Sequence, residues 1–286
     1  MQLIIIMGLI KSKRVMFQSK KANGQFVKRV SIDKDQLEIL LDRHTSKEIA
    51  AQYCCSPSTI SGLVKTYGLQ IKSKRSVNES FFDKWSRKMA YVLGMLTSDG
   101  CLSYDEKSQS YSVLFYGEQK HLEDIRSLIR SNHKIIRQKG SNTYRLSVTN
   151  KNFYNSLLKL GITPRKSLIL QLPNVPDEYF SHFVRGHFDG DGWIFQHPKF
   201  KYRRNAGIVS GSKLFLNQLQ ERLYSFDIYA SPKIIEQANR NVFYIYFNGK
   251  NALSFLDFIY SDSKPTTRLF RKFDKFQEIR TNEIRN

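Results

Sequence analysis

The chain has 286 residues, enough for one to three domains, and its 41% hydrophobic and 13% aromatic content supports a packed core. Its 46 Lys and Arg against 25 Asp and Glu leave a formal charge of +21, far more than solubility requires, which points to a polyanionic partner and to nucleic acid ahead of a membrane surface or an acidic protein. Three cysteines, Cys54, Cys55 and Cys101, exclude a disulfide framework and a cysteine zinc site, and they fit a reducing compartment.

Residues 1–10 are apolar but too few to span a membrane, and no basic region before them or small-residue cleavage site after them marks a signal peptide. They read as a buried strand opening a basic lead, residues 1–32, with no clear period from 11 to 29. The expected location is cytoplasmic or organellar rather than secreted, with no membrane partner. Residues 33–70 read as three short helices. Leu37, Ile39, Leu40 and Leu41 supply the first apolar face, and Ser46 is placed to cap a second helix carrying Ile49, Ala50 and Tyr53. Ser56 followed by Pro57 marks the start of a third, because serine satisfies free N–H groups and proline at the first position has none to lose. This helix turns Ile60, Leu63 and Val64 inward, leaves Ser58, Thr59, Ser61 and Lys65 outward, and ends at Gly68. The pattern resembles a helix-turn-helix of the kind found in resolvases and transposases, which would set Ser58, Thr59 and Lys65 toward DNA. Residues 71–80, with Lys72, Lys74 and Arg75 among Ser and Asn, read as a linker.

From residue 81 the signals come twice. A first repeat, residues 81–170, has a helix over 82–98, strands over 101–104 and 111–116, a helix over 121–130, strands over 134–138 and 144–148, and a helix over 151–160. A second, residues 171–286, has a helix over 176–190, strands over 193–196 and 206–210, a helix over 213–224, strands over 233–237 and 242–247, and a helix over 251–259. Leu269, Phe270, Phe273 and Phe276 then mark a closing helix within 268–280. The order is αββαββα in both halves, and Tyr144-Arg145-Leu146-Ser147-Val148 matches Phe243-Tyr244-Ile245-Tyr246-Phe247. Strand alternation sends Leu146, Val148, Ile245 and Phe247 toward the helices and Arg145, Ser147, Tyr244 and Tyr246 to the opposite face. The fold class is therefore α+β: a pseudo-twofold pair of repeats whose sheets form a saddle, with a small helical domain in front.

The clearest sign of duplication is Val184-Arg185-Gly186-His187-Phe188-Asp189-Gly190-Asp191-Gly192 and its weaker copy Val92-Leu93-Gly94-Met95-Leu96-Thr97-Ser98-Asp99-Gly100. Each is an apolar helix end closing on a carboxylate and a glycine, and the two carboxylates stand 92 positions apart (191 − 99). The pair resembles the LAGLIDADG motif of homing endonucleases in the single-chain, two-motif form. The stretch Gly161-Ile162-Thr163-Pro164-Arg165-Lys166-Ser167 and then Pro173-Asn174-Val175-Pro176 is similar to the linker that family carries ahead of its second motif. The first copy departs from the pattern at Thr97, where the family often has an acid.

The resemblance implies two helices crossing at Gly94, Ser98, Gly186 and Gly190, small residues that permit close backbone contact and bring Asp99 and Asp191 together. It implies a site-specific double-strand DNA endonuclease, acting as a monomer with Mg²⁺ or Mn²⁺ held by Asp99 and Asp191. Hard oxygen ligands of that kind suit an in-line displacement at phosphorus. Lys166 and Lys272, each following the last helix of its half, are expected near the scissile phosphate, where negative charge develops. Asp189 reads as a capping or orienting residue and His187 as a packed core histidine. Antiparallel ribbons fit the major groove, so Gln196, Lys199, Lys201, Arg203 and Arg204 join Arg145, Ser147, Tyr244 and Tyr246 as candidate DNA contacts. Two rival readings share these features: a regulator that binds DNA without cutting it, and a maturase that binds structured intron RNA.

Overall fold

The chain divides into two units, residues 1–74 and 75–286. A computed structural model describes residues 16–20, 26–69, 75–231, 233–237 and 241–284. The strand expected within residues 1–10 and most of the first half of the linker, residues 71–74, lie outside the described residues. Among the described residues no helix is long and apolar enough to cross a membrane.

In the first unit, β1 (Met16–Lys20) pairs antiparallel with β2 (Phe26–Ser31), a ribbon where the sequence showed no period. Three helices follow: α1 (Lys34–Arg43), α2 (Ser46–Gln52) and α3 (Pro57–Thr66). Ile32, Leu37, Ile49, Ile60 and Leu63 form its fully buried centre. The cap of α2 is Thr45 and not Ser46. Thr45 Oγ1 accepts from the Glu48 N–H at 3.2 Å while the Glu48 carboxylate accepts from the Thr45 N–H at 2.6 Å, a reciprocal pair unavailable one residue later. Ser56 caps α3 with Pro57 at its first position, and Gly68 closes it with φ of +64°, a conformation that glycine adopts without strain.

The second unit repeats one pattern. Its first half runs α4 (Arg87–Asp99), β3 (Gly100–Asp105), β4 (Ser110–Gly117), α5 (Gln119–Leu128), β5 (Ile135–Arg137), β6 (Tyr144–Thr149) and α6 (Lys151–Lys159). Its second runs α7 (Asp177–Asp191), β7 (Gly192–Gln196), β8 (Arg204–Ser210), α8 (Lys213–Tyr224), β9 (Ile235–Glu236), β10 (Phe243–Asn248) and α9 (Gly249–Tyr260), and α10 (Phe270–Ile284) closes the chain. Helix α4 starts later than the sequence indicated because Ser86 caps it, accepting from the Met89 N–H at 3.2 Å, while Phe82 packs into the core from the turns before it.

The sheets have matching strand orders, β3-β4-β6-β5 and β7-β8-β10-β9, antiparallel throughout. Their registers match as well: Cys101 and Ser147 flank Leu114 in one, Trp193 and Tyr246 flank Gly207 in the other. Leu146, Val148, Ile245 and Phe247 are buried against the helices, and Arg145, Ser147, Tyr244 and Tyr246 are only partly covered on the other face. One hydrophobic core runs through both halves.

Helices α4 and α7 meet along their motifs. A Cβ on Gly94 would overlap the Phe183 carbonyl and stand 2.8 Å from the His187 nitrogen, and one on Gly186 would overlap the Tyr91 carbonyl and stand 2.9 Å from the Met95 nitrogen. Both obstacles are backbone and do not yield as a flexible side chain does. Gly186→Ala is therefore expected to lower unfolding free energy by about 2 kcal/mol or more. Urea denaturation checks this, and a change under about 0.5 kcal/mol would show that the helices do not pack backbone to backbone.

Candidate active site

Helices α4 and α7 each end on the motif aspartate, Asp99 or Asp191, and the next strand starts on the glycine that follows. Neither helix has a basic residue in its last turn, so the partial negative charge of its last carbonyls adds to the carboxylate. The compensating charges come from later in each repeat. Lys166 Nζ donates to the Gly100 carbonyl at 2.6 Å, and Lys272 Nζ donates to the carbonyls of Phe188 at 2.5 Å and Asp189 at 2.9 Å. Both lysines are buried, so each ammonium caps the motif helix of its own half.

Gly190 brings the two ends together. A Cβ there would overlap Ser98 Oγ and stand 3.0 Å from Asp99 Oδ2. Burial raises the pKa of Asp99, against Lys272, His121 and Lys166. Burial, and then the charge of Asp99, raises Asp191 from 3.8 to about 6, with Lys166 and Lys272 opposing. Burial lowers Lys166, and it lowers Lys272 to about 8. Two carboxylates both pushed toward protonation by burial, and Asp191 also by the charge of Asp99, are a fitting donor set for a hard divalent cation. Among the described residues no group of three or more His, Cys, Asp or Glu side chains is placed to hold a metal ion. Carbonyls, water or a substrate phosphate would complete the coordination, as Mg²⁺ commonly requires.

The position preceding each pair reaches across the helix crossing. Thr97 Oγ1 donates to the Gly94 carbonyl at 2.6 Å, so His187 Nδ1, 2.9 Å away, donates to Thr97. Burial, with Lys166 and Lys272, holds the His187 ring down to about 3, and it packs on Phe215, a core residue with no path to base chemistry. In the matched place, Asp189 is fully buried and accepts from Tyr260 OH at 2.6 Å, the Leu269 N–H at 2.7 Å and Tyr91 OH at 2.9 Å. It ties together three elements and shares with Asp99 the lining of one cavity. One helical turn earlier Arg185, also buried, donates to the carbonyls of Ile259 at 2.6 Å and Thr267 at 2.7 Å and to His182 Nδ1 at 2.8 Å. Sequence reasoning missed Arg185, Tyr91 and Tyr260. The available signal was an Arg and an Asp four residues apart in a helix whose other buried residues are Phe, Val, His and Gly, a placement that calls for partners.

Beside Asp99 lies a cavity of about 210 Å³ lined by Tyr116, Glu118, His121, Asn142 and Arg271. Arg271 pairs with Glu118 at 2.9 Å across its rim. His121 was not singled out in the sequence, since a lone histidine gives no spacing signal.

On the sheet faces away from the helices, Arg145, Ser147, Tyr244 and Tyr246 share the same side, and Arg145 Nε is buried with no hydrogen-bond partner. Lys199 and Arg203 are exposed in the β7–β8 turn, with Arg203 over the ring of Phe200 at 5.0 Å. Lys201 is partly covered and pairs with Glu278 at 3.7 Å. Gln196 and Arg204 correct the sequence reading. Directly opposite each other on the inward side, both are buried. Gln196 donates to the Lys201 carbonyl at 3.0 Å and accepts from Asn282 at 3.1 Å, while Arg204 meets Glu283 at 2.6 Å. Strand alternation put them on the α10 side, and Trp193, Phe195 and Asn205 take the outer positions instead. In the first unit Ser58 and Lys65 are exposed on α3, and the Ser58 and Thr59 hydroxyls lie 2.7 and 2.9 Å from Ser56 Oγ at its start.

Residues 178–260 match the family model of the LAGLIDADG-like domain. Over 196 residues, 64% of this chain, the sequence is 24% identical to a probable translation initiation factor IF-2 of Methanocaldococcus jannaschii, and it spans 15% of that protein's length. Among solved structures, the complex of the homing endonuclease I-DmoI with DNA and Mn aligns over 65% of this chain and all of its own at 18% identity and a TM-score of 0.43. The meganuclease I-SmaMI bound to uncleavable DNA aligns over 67% of this chain and 88% of its own at 11% identity and a TM-score of 0.46.

Because Asp191 is raised to about 6 in the fold from an ordinary 3.8, ionising it opposes folding, by nothing below about pH 4 and fully above about pH 6. Asp191→Asn should therefore stabilise the protein at pH 8 by roughly 3 kcal/mol, and the gain should fade as pH drops through 6 toward 4. Thermal melts of both proteins across that range without divalent metal test the sign, and a variant less stable at pH 8 would refute the desolvated pair.

Proposed function

We propose that the chain is a site-specific, divalent-metal-dependent DNA endonuclease of the LAGLIDADG type, acting as a monomer on double-stranded DNA in a cytoplasmic or organellar setting, a reading supported by the match of residues 178–260 to that domain. The observation that carries this reading is the pair of desolvated aspartates on two crossing helices, each backed by a buried lysine. Asp99 and Asp191 are the residues that would hold Mg²⁺ or Mn²⁺. When bound, such an ion lowers the pKa of a coordinated water and neutralises charge on the phosphate and the leaving 3′ oxygen.

The protein's own contribution is placement. The glycine contacts fix the two carboxylates at the pseudo-twofold centre, and Lys166 and Lys272 hold the helix ends rigid while offsetting the charge of both aspartates. Their ammonium groups also favour the extra negative charge that a pentavalent phosphate develops. Lys272, lowered to about 8, loses its charge as pH rises past that value, so its support is strongest at neutral pH and below. The side chains of Arg145, Ser147, Tyr244 and Tyr246 face the duplex from the two sheets, and the buried, unpartnered Arg145 Nε gains an acceptor when DNA binds. Lys199, Lys201 and Arg203 add phosphate contacts, and Ser58, Thr59 and Lys65 of α3 engage DNA beyond the central site.

Asp99→Asn and Asp191→Asn are each expected to reduce double-strand cleavage at least a thousandfold with Mg²⁺ while keeping DNA affinity within about threefold, since each removes a charged metal ligand and not a DNA contact. A cleavage assay on a duplex selected from a random library checks it, and full cutting by either variant would overturn the assignment. Deleting residues 1–74, the first unit, should leave a soluble core that still cuts, with weaker binding and a shorter footprint. An unchanged footprint would remove the DNA role given to α3.

A further inference from the structure

Because the two sheets share strand order and register, their outer faces compare position by position. Cys101 and Ser147 beside Leu114 correspond to Trp193 and Tyr246 beside Gly207. Ser103 opposite Ser112 corresponds to Phe195 opposite Asn205, and Arg145 opposite Tyr116 to Tyr244 opposite Val209. At four matched places the first half therefore presents Cys, Ser, Arg and Ser, and the second Trp, Phe, Tyr and Tyr, while Leu114 and Tyr116 on the middle strand of the first stand where the second has Gly207 and Val209.

The aromatic face is fixed before any ligand arrives. Trp193 spends its one polar group on Asn205, Nε1 donating to Oδ1 at 2.8 Å, and its ring lies against Gly207, where a Cβ would overlap it. Tyr244 stands edge-on to that ring at 5.8 Å. Phe195 remains 47% exposed, large for a strand residue in the middle of a charged protein, and offers no polar atom. Trp193 and Phe195 therefore leave no free polar atom to pair with base donors and acceptors, and the hydroxyls beside them are those of Tyr244 and Tyr246. In the major groove the apolar group that a base pair presents is the C5-methyl of thymine.

Building on the DNA reading above, we propose that the second repeat recognises a thymine-rich half-site by packing thymine C5-methyl groups against Phe195 and Trp193, whereas the first repeat reads its half-site through polar side chains. The site is thus unlike in its two arms in the chemistry used as well as in sequence. A Phe or Trp face buries a methyl group that uracil lacks, while every hydrogen-bonding edge and every phosphate stays the same. Each methyl removed costs the transfer free energy of about one CH₂, so losing two or three weakens binding roughly tenfold or more.

The test uses the full chain. A preferred duplex is selected from a random library, and it is then synthesised with deoxyuridine replacing thymidine in one arm at a time. Competition binding without divalent metal gives the affinity of each. The expected result is a loss of about tenfold for one arm and less than about twofold for the other. Phe195→Ser, an exposed position outside the catalytic groups, should bring the sensitive arm's loss below about threefold and leave the other arm unchanged. Equal losses in both arms, no loss in either, a selected site without thymines, or a loss untouched by Phe195→Ser would each overturn the proposal while leaving the endonuclease reading standing. Failure of the selection to return any preferred sequence would overturn both.

Discussion

Backbone contact between α4 and α7 is the constraint on which the second unit depends. Gly94 and Gly186 each occupy space where a Cβ would strike a carbonyl of the other helix, so the helices approach as closely as their main chains permit. That approach sets the separation of Asp99 and Asp191 without any loop having to position them. It also fixes the two sheets, because each begins on the glycine directly after its aspartate. A catalytic pair carried by rigid helix ends is held more tightly than one on loops, which suits chemistry whose geometry must hold within a fraction of an ångström.

Close packing at the crossing excludes water, and the charges placed there need other partners. The solution is reciprocal in form and different in chemistry on the two sides. Thr97 ties to His187, a neutral pair, while Asp189 in the matched place takes three hydrogen bonds from Tyr91, Tyr260 and the Leu269 backbone. Arg185 below it satisfies carbonyls at Ile259 and Thr267, so the charged side of the crossing also fastens α9 and the approach to α10. Buried charges of this kind stabilise little against a well-packed apolar alternative, yet they penalise any other arrangement severely. Their effect is to specify one register of the second repeat against the first.

Much of this was legible in the sequence, for reasons that differ by element. Both αββαββα repeats and most inward and outward strand residues followed from periodicity and from one motif appearing twice, and the glycine crossing followed from the resemblance to the LAGLIDADG motif. Caps were less legible: Thr45 displaces Ser46 because Glu48 stands three residues after it, and Ser86 starts α4 beyond Phe82. The inward turn of Gln196 and Arg204 followed from strand parity already visible at Trp193, but their charge and amide suggested solvent. What settles them is α10, supplying Glu283 and Asn282 from far along the chain. The Asp189 and Arg185 network was illegible for the same reason, since its partners lie at Tyr91, Ile259, Tyr260 and Thr267. The lysines were placed near the motifs, but their role as caps on helix carbonyls depends on three-dimensional proximity that spacing does not encode.

A duplicated fold in a single chain separates two constraints that a symmetric dimer imposes together. The glycines and terminal aspartates must stay alike in both halves, because the crossing is a contact of one helix with its counterpart and each side limits the other. Strand residues on the outer faces touch nothing in the opposite half. Once both copies are encoded separately, these positions vary independently, and here they have moved from Cys101, Ser103 and Ser147 to Trp193, Phe195 and Tyr246 over an unchanged backbone register. Thr97 and Asp189 differ at the crossing itself although they occupy matched places, because each meets a different partner in the opposite half, His187 in one case and Tyr91 in the other. Symmetry persists in the glycines and terminal aspartates that set the crossing and lapses on the outer strand faces, so the strand positions that differ between the repeats mark the surface on which the two halves are free to recognise different things.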